Sequence, residues 1–186
     1  MIYGKEVWGP KLWNLFHSYA LGNINNKNGY YIFYTNFSYI IPCEICIRHY
    51  NDILKFAYPI YKEEINKEYL LKWTFEIHNI VNELLDKEIY DYDIFIKNLK
   101  NNNEDNYFII SKIFNNIDYK NLSIIDFDRI YNIFLYLIVL YPIENKRKQL
   151  KNLIKKEKYK NIDTPVQFEK WINKNLESIE KILLNV

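Results

Sequence analysis

Residues 68–86 read EYLLKWTFEIHNIVNELLD, and Leu71, Phe75, His78 and Asn82 fall three or four apart. That period places them on one face of an α-helix spanning Glu68 to Asp86. Around this helix the chain is poor in turn residues, with four glycines and five prolines in 186 residues. A sheet of many strands would need more of them. The chain therefore reads as an all-α fold, helices punctuated by Asn-rich loops.

On the N-terminal side, apolar residues at 12, 15, 16 and 19 predict a helix from Pro10 to Leu21, with Pro10 suited to its first turn. Residues 21–29 (LGNINNKNG) read as a loop and the aromatic-rich 30–41 as a buried helix. Pro42 opens a helix from Cys43 to about Ala57, closed by Pro59. On the C-terminal side a short helix covers Tyr92 to Leu99, and the polar run from Lys100 to Asn106 reads as a linker. Helices follow at about 107–119, 125–141, 144–158 and 165–184, the last begun by Thr164 as cap and Pro165 in first position. The expected organisation is a domain over 1–100, a linker over 101–106 and a further helical domain over 107–186.

The composition excludes several classes. With 49% apolar and 26% charged residues, the chain is neither disordered nor a disulfide-stapled miniprotein. A net charge of +2 offers no bulk electrostatic case for nucleic acid. The basic stretch from Lys146 to Lys160, tempered by Glu144 and Glu157, reads as a solvated helix face. The longest apolar run, Ile133 to Tyr141, is far short of the roughly 20 residues that span a bilayer. No sustained apolar stretch follows Lys5 and Glu6, so no signal peptide is expected. The expectation is a soluble intracellular protein with no membrane and no nucleic-acid partner. Abundant Asn, Ile, Lys and Tyr, with Ala only at 20 and 57, suit the A/T-rich genome of a virus or protist.

Chemistry concentrates in three places. Pro42-Cys43-Glu44-Ile45-Cys46 holds the two cysteines of the sequence, three apart at a helix start. There the unpaired N–H groups favour a thiolate, and the two thiols can close a disulfide within one turn. The same pair also suits buried structural cysteines, or half of a zinc site completed by His49 with His78 or His17. Trp13 and His17 share one face of the first helix, as do His78 and Asn82 on the fourth. Flat aromatic surface, imidazoles and amides together are the groups that hold a planar heteroaromatic cofactor, and a dithiol beside one can pass it two electrons.

Trp8-x4-Trp13-x3-His17, Pro42-Cys43-x2-Cys46 and Trp73-x4-His78-Asn79-x2-Asn82, with Lys87 following, resemble the Erv/ALR-type FAD-dependent sulfhydryl oxidases. The resemblance runs from about residue 7 to 96, and the Trp8-Gly9-Pro10 opening is most similar to members from large DNA viruses. It implies a four-helix bundle with a short fifth helix, FAD in its mouth, and a homodimer. It further implies that Cys43 is the exposed redox partner and Cys46 the one against the flavin. A client thiolate attacks Cys43, a second client thiol resolves the mixed disulfide, and the Cys46 thiolate reduces the flavin, which dioxygen reoxidises to give hydrogen peroxide. Trp8, Gly9, Trp13, His17, His78, Asn79 and Asn82 are the implied FAD contacts, with Lys87 and Tyr90 near the cofactor's far end. No metal is implied by this reading. The family's shuttle cysteine pair has no counterpart among these residues, so the implied partner is a client protein oxidised directly or a separate thiol carrier. The family's tryptophan after the fifth helix is also missing between Asp93 and Asn106. For a viral protein the expected setting is the host cytoplasm or the virion. The alternative reading is a non-enzymatic helical interaction protein with zinc at Cys43, Cys46 and histidine.

Overall fold

The computed structural model describes residues 4–101, 106–115, 117–156 and 162–184. Among them every regular element is helical: α1 Lys5–Ala20, α2 Lys27–Thr35, α3 Glu44–Asp52, α4 Lys67–Leu84, α5 Tyr92–Asn101, α6 Asn106–Asn115, α7 Ile124–Val139, α8 Glu144–Lys156 and α9 Pro165–Leu184. The all-α fold class read from the sequence is the observed one.

Side-chain caps start most of these helices, each satisfying a backbone N–H that the helix itself leaves unpaired. Asn26 accepts from the Gly29 N–H, Asn66 from the Tyr69 N–H and Ser123 from the Asp126 N–H. At α9 the expected cap is present and reciprocal. Thr164 Oγ1 accepts from the Gln167 N–H, while Gln167 Oε1 accepts from the N–H groups of Asp163 and Thr164.

Several boundaries differ from the sequence reading. α1 begins at Lys5, so Pro10 lies inside it rather than in its first turn. Pro10 has no N–H to give the Glu6 carbonyl, which is tolerable because both residues are exposed to water. α2 starts inside the expected loop, at Lys27, and residues 37–40 form a 3-10 turn instead of continuing it. The helix expected from Cys43 to Ala57 is regular only to Asp52 and widens into a π-helical turn over Ile53–Ala57. α6 stops at Asn115, and Tyr119–Asn121 form a separate 3-10 turn. Of the expected linker, Asn101 ends α5, Asn106 opens α6, and 102–105 lie outside the described residues.

One apolar core runs through both stretches of the chain. Leu15, Phe16 and Tyr19 of α1, Phe33 and Tyr34 of α2, and Trp73 and Ile77 of α4 join Phe114, Ile133, Phe134, Leu137, Phe168 and Ile172 in a single buried cluster. The Tyr19 hydroxyl donates to the Leu137 carbonyl across that junction. Two of the basic residues of α8 donate to main-chain carbonyls, and Lys148 pairs with Glu144 at 2.8 Å. Lys146 donates to the Leu183 carbonyl near the end of α9, and Arg147 to the Tyr141 carbonyl just after α7, where cations complement the helix dipole. Among the described residues no helix is long and apolar enough to cross a membrane.

Candidate redox and cofactor site

α3 opens on its cysteines. Cys43 is the N-cap, in an extended conformation, and its Sγ accepts from the Cys46 N–H at 3.3 Å. The two form a disulfide with Cα atoms 5.2 Å apart. Both are half-buried, whereas Glu44 and Ile45 between them are exposed. The thiolates a zinc site needs are therefore joined to each other. Among the described residues no group of three or more His, Cys, Asp or Glu is arranged to hold a metal.

The second part of the site lies between α1 and α4. Trp13 stacks on His78 with ring centroids 3.9 Å apart and planes 9° from parallel, and on His17 at 5.5 Å and 15°. His17 Nε2 and His78 Nδ1 are 2.8 Å apart and share a hydrogen bond. Burial pushes the His17 pKa well below its ordinary 6.5, and His78 lowers it further. Burial and the Lys87 charge bring His78 down to about 4. Both imidazoles are thus neutral at pH 7. His17 Nδ1 is buried with no protein partner, a polar atom that a ligand can satisfy.

α5 and the segment before it complete this wall. Phe95 meets His17 edge-on at 4.8 Å, and Tyr90 meets His78 at 5.0 Å and 88°. Asn79 hydrogen-bonds the Tyr90 main chain in both directions. The Lys87 N–H donates to the Asn82 carbonyl, and Asn82 is itself buried. Trp8 is half-buried against the core five residues before Trp13. A Cβ at Gly9 would meet nothing within 4 Å, so the space beside this residue is open.

The helix that carries the disulfide is anchored against this wall by Tyr50. Cys46 and Tyr50 are four apart on α3 and so share a face. Tyr50 packs edge-on against Phe16 at 6.0 Å and donates to the Tyr34 carbonyl at 2.7 Å. Phe16 adjoins His17 and is 5.5 Å from Trp13. Tyr50 and Phe95 carry no functional signal in the sequence, where Phe16 reads only as one apolar residue of the first helix. As aromatics at helical spacing they look like any other core residue.

A family model covers residues 10–102, which is half of the chain and contains the whole of this site except Trp8 and Gly9. The chain belongs to the Erv1/Alr family. Its relatives include a probable FAD-linked sulfhydryl oxidase of Acanthamoeba polyphaga mimivirus, 38% identical over 93 residues. They also include FAD-linked sulfhydryl oxidases of two African swine fever virus isolates, each 33% identical. The aligned part is 47% of this chain against the first and 46% against the others. It spans 64% of the mimivirus protein's length and 73% of each of the others. No solved structure matches. The Erv1/Alr match ends where α5 ends, and α6 to α9 lie outside it.

Proposed function

We propose that this chain is an FAD-linked sulfhydryl oxidase that introduces disulfides into client protein thiols through Cys43 and Cys46. The observation that carries the reading is a helix-start disulfide on α3, a helix anchored by Tyr50 against Phe16, in the same fold as the neutral Trp13–His78–His17 stack that Phe16 adjoins. The residues fit FAD on their own chemistry. The stacked rings suit a flat heteroaromatic group, and the orphaned His17 Nδ1 can hydrogen-bond one.

Trp8, Trp13, His17 and His78 are the residues proposed to hold the cofactor, with Gly9 leaving room beside them and Asn82, Lys87 and Tyr90 at the α4–α5 end. When bound, FAD accepts the electron pair of the dithiol and returns it to dioxygen as hydrogen peroxide. The chain's own part is thiol exchange. A client thiolate attacks Cys43 Sγ, breaking the Cys43–Cys46 bond and releasing the Cys46 thiolate in the first turn of α3, where the helix N-terminus favours negative charge. A second client thiol then displaces Cys43 and leaves the client oxidised. Glu44 and Ile45, exposed between the cysteines, flank the attack path. With Cys43 and Cys46 as the two cysteines in these 186 residues, the electrons enter at Cys43 from a thiol outside this stretch.

The viral relatives support a viral origin, and for a viral protein the proposed setting is the host cytoplasm or the virion. A homodimer, which the resemblance implies, would have to use a surface other than the parts of α1 and α2 buried under α6 and α7.

The test is the visible spectrum of the purified protein together with oxygen uptake. The expected result is flavin absorbance bleached by dithiothreitol and restored by air, with thiol-dependent oxygen uptake abolished in Cys43→Ser and in Cys46→Ser. A colourless protein that takes up no added FAD, or full turnover in either cysteine variant, would overturn the reading.

A further inference from the structure

The last residues of α4 and the start of α5 are joined by a short connection whose path is set by specific bonds. Asp86 has a φ of 53°, in the left-handed region. Its N–H donates to the Glu83 carbonyl and the Lys87 N–H to the Asn82 carbonyl, a Schellman closure that turns the chain back along α4. Two turns earlier on α4, Asn79 is 8% exposed and its amide is committed to that returning strand of chain. Asn79 Oδ1 accepts from the Tyr90 N–H at 2.9 Å, and Asn79 Nδ2 donates to the Tyr90 carbonyl at 3.1 Å. A side-chain amide that pairs with both main-chain groups of one residue fixes that residue much as a neighbouring strand would.

The fixed residue carries a ring against the site. Tyr90 is 46% exposed, yet its ring stands edge-on to His78, whose face is covered by Trp13. An exposed aromatic on a connection between helices would ordinarily sample several positions. Here its main chain is clamped from the buried side, so ordering the ring costs less when a ligand arrives.

We infer that Asn79 is a positioning residue, which acts on the cofactor site through Tyr90 and not by touching the flavin itself. Its amide holds the Tyr90 main chain, and the Tyr90 ring forms the lateral wall beside His78. This rests on the FAD reading above, and it assigns Asn79 differently from the direct contact that the family resemblance implies.

The test uses the full chain as wild type, Asn79→Ala, Tyr90→Ala, Tyr90→Phe and the Asn79→Ala/Tyr90→Ala double variant. Two quantities are read: hydrogen exchange at the Tyr90 amide in the apoprotein, and the FAD dissociation constant by fluorescence titration. Asn79→Ala should lose Tyr90 amide protection and weaken FAD about tenfold, the scale of one well-placed polar contact. Tyr90→Ala should weaken it similarly, and Tyr90→Phe, which keeps the ring, should lose less than Tyr90→Ala. The double variant should lie within about threefold of the worse single variant, because the two act in one chain of contacts. Losses that multiply in the double variant would mean that Asn79 meets the cofactor on its own, and overturn the inference. So would an unchanged affinity in Asn79→Ala. Should that variant fail to fold, Asn79→Asp keeps the acceptor for the Tyr90 N–H and should give an intermediate loss, and wild-type affinity there overturns the inference equally. Failure of the wild type to bind FAD overturns the functional reading itself and is seen before any variant is compared.

Discussion

His17 Nε2 and His78 Nδ1 meet at 2.8 Å across the α1–α4 interface, joining two residues 61 apart in sequence as a neutral, buried imidazole pair. One proton lies between two nitrogens, and the stacked Trp13 covers both rings.

That pair makes stability depend on pH. Both pKa values are lowered on folding, so the unfolded chain binds the extra protons. The contribution is complete above 6.5 and is lost as the pH falls from 6.5 toward His78's value of about 4. Each histidine contributes a slope of up to about 1.4 kcal/mol per pH unit in that window. Thermal midpoints of the apoprotein should be level above pH 7 and fall below 6.5, less steeply in His78→Gln. Equal midpoints at pH 5 and 7 would show that the pair is not held neutral.

The shared core leads to the expectation that the two stretches of chain unfold as one cooperative unit. Tyr19 on α1 and Leu137 on α7, joined by a hydrogen bond, belong to the same buried cluster. Calorimetry of the apoprotein should show one transition whose van't Hoff and calorimetric enthalpies agree. A chain ended after Asn101 should expose Leu15, Tyr19 and Phe33 and associate or aggregate in light scattering. Two separated transitions, or a monomeric folded truncation, would show that the stretches fold independently.

The Asp86 position is conformationally costly. A non-glycine residue there sits in the left-handed region, with the Schellman bonds already in place. Asp86→Gly should raise stability by about 0.5–1 kcal/mol in urea melts, since glycine adopts that φ without steric cost. A loss of stability would mean that the Asp86 side chain makes a compensating contact.

The Cys43–Cys46 disulfide is a weak staple. It closes a loop with a sequence separation of only three, so loop-closure entropy allows it about 2 kcal/mol at most. Reduction of the apoprotein should leave its helical circular dichroism intact and lower the urea midpoint only modestly. Unfolding on reduction would assign the bond a structural role.

How much of this was legible follows from the range over which each interaction acts. α4 was readable because Leu71, Phe75, His78 and Asn82 repeat with the helix period, and α9 because Thr164 and Pro165 are adjacent start signals. The start of α1 was not, since Pro10 prefers a first turn locally and only the exposure of the Glu6 carbonyl makes an interior position tolerable. The α4 terminus lacked the glycine that normally marks such a turn, and Asp86 takes its place.

By itself the sequence determined the helical class, the paired cysteines at a helix start, and the spacing that puts Trp13 with His17 and His78 with Asn82 on single helix faces. Helix period and capping act within a few residues, so they are written locally. Only the tertiary structure decided that His17 bonds His78, that Asn79 is committed to Tyr90 eleven residues on, and that α7 closes over α1 and α2 in one core. Those outcomes depend on which apolar faces bury one another, and a burial free energy that sums over the whole core has no signature in any one segment.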